Sequence, residues 1–341
     1  MLSKNTLLVS LMSIIFFLAV SCTQTCDCKN LTVKNGVYYK QNSTEPYTGS
    51  CNTKVYGITK IKQYKNGLLS GELKTLNPKE DVLSITNYKD GKKEGWSILF
   101  YENGQKEKED RYFNNKKNGI SRSWYTSGKV KSESKFLDGN KHGKAQEWHK
   151  NGKKKSEHNY FQGSKHGEWQ IWYENGENKE KGEYLNGKKT GQWTTWYEDG
   201  GLKEKTGFEN GVPNGMWTVW FDNGQISSKG EYKKGNKEGK WITWYENGQM
   251  KEEVKYKSNM LFGEYKNWYM NGVLKEKGLY FANKKTGKNV TFYENSHTKS
   301  VANYKNGEFN GKVIFYLPSG AKDIQSYVNG TKTKLKEEPV F

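Results

Sequence analysis

The sequence predicts an all-β protein, an elongated single-layer antiparallel meander of stacked β-hairpins. Three observations carry that expectation. A glycine returns every 24 residues, turn dipeptides leave room for two short strands per period, and aromatic residues hold fixed phases of the repeat. The glycines are Gly71, Gly95, Gly119, Gly143, Gly167, Gly191, Gly215, Gly239, Gly263, Gly287 and Gly311. Self-similarity at a constant period of this length is the mark of a repeat architecture, in which each unit buries its apolar side against its neighbours.

With that glycine as position 0, position 5 is Phe100, then Trp124, Trp148, Trp172, Trp196, Trp220, Trp244 and Trp268, then Phe292. Position 17 is tyrosine or phenylalanine from Tyr88 to Tyr304. Asn-Gly or a relative stands at positions 8–9 (Asn175-Gly176, Asn247-Gly248) and again at 19–20 (Asn186-Gly187, Asn306-Gly307). Asn-Gly is the strongest short hairpin signal, because a type I′ turn needs positive φ at both central residues. Two such turns per period leave two strands of about eight residues.

A two-residue loop at 8–9 pairs positions that sum to 17. Trp169, Trp193, Trp217 and Trp241 at position 2 then face small residues at position 15, and the ring at position 17 faces the repeat glycine. Positions 6 and 11, such as Tyr245 and Met250, are expected to meet on the same apolar face. On the other face Trp172, Trp196, Trp220 and Trp244 at position 5 are expected opposite lysines at position 12. Those lysines include Lys179, Lys203 and Lys251. Such a cation–π pair is worth roughly 0.5–1 kcal/mol where exposed.

Composition agrees with a thin sheet. Hydrophobic residues make up only 33% of the 341, yet aromatics reach 14%, and mean hydropathy is −1.03. A disordered chain lacks those rings, and a thick-cored globule carries more aliphatic residues. The formal charge is +19, but only Arg111 and Arg122 are arginine. Nucleic-acid readers favour the arginine fork, so dispersed lysine argues for an acidic protein partner or an anionic surface polymer instead. At about 4.8 Å per strand the eleven repeats predict a ribbon on the order of 100 Å long.

The amino-terminal run Leu7–Val20 is too short to span a bilayer and fits the apolar core of a secretory signal. The following "LAVSC" resembles a bacterial lipobox, which implies cleavage before Cys22, lipid on that cysteine and a membrane-anchored, exported protein. Cys26, Cys28 and Cys51 remain, and one disulfide between Cys51 and either Cys26 or Cys28 suits an oxidising compartment. No second CxxC or nearby histidine completes a zinc site. The expected organisation is therefore a signal at 1–21, a cysteine-bearing tether with its first strand at 22–46, hairpin repeats at 47–330 and a charged tail at 331–341.

Repeats reading G-x-W-x-x-W-Y-x-N-G, with lysine following and a second Asn-Gly, are similar to the MORN repeat variant of bacterial YwqK-like proteins. Residues 36–330 carry the resemblance, beginning at "GVYYKQNSTEPYTG". It implies stacked β-hairpins, and in this group it brings the label of antitoxin component. Choline- or glucan-binding repeats are a second, weaker likeness, with a period nearer twenty residues.

No catalytic order emerges from the chain. His142 and His166 hold equivalent turn positions about 10 Å apart by strand spacing, His158 takes position 15, and no phosphate loop or nucleophile motif is present. The sequence thus points to a scaffold without catalysis, cofactor or metal, whose candidate binding residues are the position-5 tryptophans and position-12 lysines. A toxin-neutralising role of the kind the family label suggests is the alternative.

Overall fold

Two turns and a bulge in each period decide how this chain folds. The computed structural model describes residues 26–334; the apolar leader, Cys22 and the last residues of the tail lie outside them. Every regular element among the described residues is a β-strand, apart from one 3-10 turn at Cys28–Asn30. The chain divides into two compact bodies, Met1–Gly104 and Gln105–Phe341.

In the first body, strands Gly49–Val55, Ile58–Lys65, Gly71–Leu76, Val82–Lys89 and Lys92–Phe100 pair antiparallel in chain order. Ahead of them the tether is itself folded. Leu31–Lys34 and Val37–Lys40 form a hairpin, and Cys26–Asp27 lies parallel to Cys51–Asn52. A disulfide joins Cys28 to Cys51, and Cys26 is a thiol that donates to the Tyr47 hydroxyl at 3.2 Å. Cys51, Tyr47 and Tyr64 are buried together with Cys26, Cys28 and Leu31 packed against them, so this small core fixes the segment from Cys26 to Leu31 against the strand Gly49–Val55.

The second body is the predicted meander. From Lys106–Phe113 to Lys322–Val328 successive strands pair antiparallel, as in Ser164–Trp172 with Asn178–Leu185 and then Lys188–Trp196. A final strand, Thr331–Thr333, pairs with Ser326–Val328 inside what the sequence assigned to the tail.

The two turns of each repeat differ, which corrects the expectation of two alike. At positions 19–20 both residues have positive φ, as in Asn186 at 50° and Gly187 at 80°, the type I′ geometry. At positions 8–9 only the glycine does, as in Gly176 at 97°. There the Gly176 N–H donates to the Tyr173 carbonyl at 3.0 Å and the Tyr173 N–H to the Glu177 carbonyl at 2.9 Å. This is a three-residue loop closed by a glycine bulge. The extra residue shifts register, so Trp172 faces Asn178 and Trp244 faces Met250, not the lysines one place further on.

A second bulge explains the repeat glycine. Between Thr190 and Thr194 three residues oppose the single Gly182, and Gly191 takes φ 63° with open space where a Cβ would project. The position-17 residue does stand opposite it in register, as Phe208 does opposite Gly191, but the position-0 glycine is set by backbone conformation. Gly182 at position 15 has the opposite reason: its φ is ordinary, but a Cβ there would fall inside the indole of Trp193.

The packed face follows from that close approach. Trp169, Trp193 and Trp241 at position 2, Tyr265 in the same phase, and Thr206 and Val254 at position 15 are buried. Two position-2 rings lie between position-17 rings: Trp193 is 5.0 Å from Tyr184 and 6.3 Å from Phe208, both edge-on, and Trp241 is 5.1 Å from Tyr232 and 5.9 Å from Tyr256. Edge-on pairs add about 0.5–1.5 kcal/mol beyond the area they bury.

Trp193, only 3% exposed, should cost about 3–5 kcal/mol when changed to Ala. Hydrogen exchange should rise mainly in the repeats on either side of it, and a uniform rise over the whole chain would contradict this packing. Gly182→Ala should cost about 1–3 kcal/mol by displacing the indole; a neutral effect in denaturant unfolding would show that the ring does not rest there.

Candidate interaction face

Strand alternation gives the sheet of the second body a packed face and an open face. On the packed face a lysine at position 22 reaches over the rings. Lys165 Nζ lies 4.0 Å from the Trp169 ring centroid and 4.7 Å from that of Tyr184, and Lys189 Nζ lies 3.7 Å from Trp193. Lys237 covers Trp241 at 4.3 Å and Tyr256 at 5.1 Å. Lys165 on Trp169, Lys189 on Trp193 and Lys237 on Trp241 are the closest cation–π contacts among the described residues, and the sequence analysis missed them. Their signal was legible all the same: Lys117, Lys141, Lys165, Lys189, Lys237 and Lys285 recur in one phase of the repeat.

The expected pairing of position-5 tryptophan with position-12 lysine is not what forms. Lys179 lies over Tyr173 at 5.2 Å, Lys203 over Tyr197 at 5.4 Å and Lys251 over Tyr245 at 5.6 Å. The bulge after Trp172 moves its partner back by one residue and leaves the lysine against the position-6 ring. Position 6 is also not part of the apolar face. Its hydroxyl donates to the position-5 carbonyl of the next repeat: Tyr173 to Trp196 and Tyr197 to Trp220 at 2.8 Å, Tyr245 to Trp268 at 2.9 Å. His149 places Nε2 3.2 Å from the Trp172 carbonyl in the same phase, and Phe221 leaves a gap in the ladder. Beside it Asn175 and Asn247 donate to the carbonyls of Glu198 and Met270 at 2.6 and 2.9 Å.

The open face has a midline built from positions 3 and 14, each residue directly opposite the next. It begins Glu109, Arg122, Glu133, Gln146, Glu157, Gln170. Here the charges satisfy one another: Arg122 Nε is 2.6 Å from Glu133, and Lys144 and Lys154 lie 2.6 and 2.7 Å from Glu157. Burial alone would raise the Glu157 carboxyl, but hydrogen bonds from Lys144, Lys154 and Gln146 outweigh it and hold the pKa at about 2.

The row then becomes Lys181, Thr194, Lys205, Thr218, Lys229. These three lysines enter no ion pair among the described residues, and alternate strands set them about 10 Å apart. Lys205 Nζ is 5.9 Å from the ring of Trp220. The position-5 rings of Trp172, Trp196, Trp220 and Trp244 stay half-exposed beside this row. Of the predicted tryptophans, Trp220 thus lies beside a lysine of position 14, and Trp172 lies 5.5 Å from Lys154 of position 11. Lys179, Lys203 and Lys251 are exposed as expected, but each is already engaged with a tyrosine ring.

The histidines make no joint site. His142 and His166 flank Phe161 at 5.4 and 5.9 Å. His158 stacks on Trp169 with centroids 3.4 Å apart and its Nε2 buried without a partner. Burial, opposed by Glu147 and reinforced by Lys165 and Lys141, pushes its pKa down to about 4. No group of three or more His, Cys, Asp or Glu side chains arranged to hold a metal ion occurs among the described residues.

A family model described as MORN repeat variant matches residues 117–138, 141–162, 165–186, 189–210, 213–234 and 237–258. No curated protein sequence matches the chain. One solved structure, described as the crystal structure of TcdB2-TccC3-Cdc42, aligns over 83% of this chain at 8% identity and a TM-score of 0.18. This chain spans about a fifth of its length, 21%, and a likeness that low carries no structural argument.

Two consequences of this geometry can be measured. Because the fold depresses the His158 pKa from 6.5 to about 4, its stabilising contribution is full above pH 6.5 and declines as pH falls toward 4. His158→Phe keeps a stacked ring and should flatten that decline in denaturant midpoints between pH 6.5 and 5; equal slopes would contradict it. Tyr173→Phe removes one rung of the hydroxyl ladder and should cost about 1 kcal/mol, whereas Phe221→Tyr, which fills the gap, should not destabilise the protein.

Proposed function

The six tandem repeats over residues 117–258 belong to the MORN repeat variant family and form a β-sheet repeat scaffold; from that premise we propose that the protein is a non-catalytic interaction module for a polyanionic partner. The supporting observation is the unpaired row Lys181, Lys205 and Lys229, alternating with Thr194 and Thr218 and bordered by half-exposed position-5 tryptophans. Lysines with no internal counter-charge keep their attraction for an arriving anion. Indole faces beside them add contact area, whether the partner is an acidic protein or a surface polymer.

The open face suits this task because the packed face does the folding. Its lysines can therefore change sign without disturbing the rings beneath. Attachment by such a row is electrostatic and weakens as added salt shortens the Debye length below about 10 Å. The lipobox-like "LAVSC" supports a place for the scaffold: a lipid on Cys22 would hold it at a membrane of the cell envelope, facing the periplasm or the exterior.

Lys181→Glu, Lys205→Glu and Lys229→Glu together should abolish salt-sensitive binding to an oligoglutamate probe and leave the far-UV circular dichroism unchanged. Lys179→Glu, Lys203→Glu and Lys251→Glu together should weaken binding less, because those side chains stand outside the row, against the position-6 tyrosine rings. Equal binding by wild type and the first triple variant would refute the charged-row reading. For the anchor, Cys22→Ala should take up no labelled palmitate in the producing cell, and undiminished labelling would refute lipid at that residue.

A further inference from the structure

The midline of the open face changes character once more. Beyond Lys229 it passes through Ile242, Glu253, Lys266 and Lys277. It then runs Val290, Val301, Ile314, Ile324, four apolar β-branched residues on successive strands. In the central repeats the same phases hold Gln170, Lys181, Thr194, Lys205 and Thr218, and only the pair Ile85 and Ile98 of the first body is aliphatic on both strands there. Folding does not ask for this row. The packed side of the same repeats already carries Tyr265, 2% exposed, with Tyr280 against it at 4.5 Å. A solvated sheet face ordinarily alternates with the packed one as polar against apolar.

The surroundings say what would cover the row. Val290, Val301, Phe292 and Leu279 floor an open groove of about 730 Å³, and Leu279 is 40% exposed. Lys266, Lys277 and Lys288 rim it, with Glu264 as the one carboxylate. Lys266 and Lys277 stand directly opposite each other, and neither is ion-paired among the described residues. Like charges facing across a sheet destabilise it, and an anion seated between them would reverse the sign of that interaction.

We propose that this groove docks a polypeptide segment whose apolar side chains are flanked by carboxylates. The apolar floor takes the side chains, and Lys266, Lys277 and Lys288 take the carboxylates. Charge alone would be served by the lysine row upstream; only a partner with apolar side chains gains from this floor. Four strands span about 14 Å, the length of four or five extended residues. The proposal rests on the polyanion reading above and adds to it a place and a class of partner.

The test uses the full chain, fluorescence anisotropy and two labelled synthetic twelve-residue probes, one alternating Glu with Leu and one of Glu alone. The alternating probe should bind wild type about tenfold tighter despite its lower charge, the increment expected from burying a few apolar side chains. Val290→Thr with Val301→Thr keeps β-branched residues in both strands. It should erase that preference and leave oligoglutamate binding and the circular dichroism unchanged. The triple variant Lys181→Glu, Lys205→Glu, Lys229→Glu should lose oligoglutamate binding and keep affinity for the alternating probe.

Equal affinity of wild type for the two probes, or a preference that survives the Val290→Thr, Val301→Thr change, would overturn the groove while leaving the polyanion reading intact. Tighter binding of laurate than of the alternating probe would assign the groove to a free amphiphile and also overturn the proposal. Failure of wild type to bind oligoglutamate at all would instead overturn the polyanion reading.

Discussion

An indole lying flat on a glycine of the strand before it is the contact on which the rest of this fold depends. Trp193 on Gly182 and Trp241 on Gly230 leave no room for a Cβ between ring and backbone. A single sheet has no second layer to cover its apolar side, so the rings must cover one another. Trp193 and Trp241 do so by reaching back one repeat, meeting the position-17 rings edge-on and taking Lys189 and Lys237 on their outer surfaces. The cluster of Trp241, Val254 and Tyr265 draws its neighbours from the repeats on both sides, Trp217 and Tyr232 before it and Tyr280 after it. No repeat completes its own core, which is why the period must be kept without slippage through eleven glycines.

That dependence explains what the sequence made legible. The 24-residue spacing, the position-2 and position-17 aromatics and the type I′ turn at 19–20 are all local or periodic signals, and each predicts its own element correctly. The second Asn-Gly misled for a physical reason. At positions 8–9 the asparagine is chosen for its side chain, which bonds the Glu177 N–H in its own turn and the Glu198 carbonyl in the next repeat. Nothing in the dipeptide separates that role from a type I′ turn. The one-residue bulge that results moves the whole tryptophan–lysine pairing, so an error in one turn became an error in the candidate site.

The repeat glycine misled in a related way. Gly191 and Gly182 look alike in sequence, yet one answers a backbone conformation and the other a steric contact. Only the pairing of three residues against one tells them apart. The position-22 lysines, by contrast, were periodic and simply unread. The midline of the open face was legible only after register was known, because positions 3 and 14 become neighbours through pairing and not through sequence.

With folding confined to one face, the other is free to vary from repeat to repeat. It does so in blocks: self-neutralised carboxylates and amides from Glu109 to Gln170, bare lysines from Lys181 to Lys229, aliphatics from Val290 to Ile324. A scaffold whose stability lies in its periodic side can carry such non-periodic information at little structural cost. The central claim, that each repeat is held only by its neighbours, is tested most directly by excising one period, residues 191–214, which joins Thr190 to Gly215 in phase. Native-state hydrogen exchange should show every remaining strand still protected. A chain left without protected strands would contradict it and require a core that no single period can be spared from.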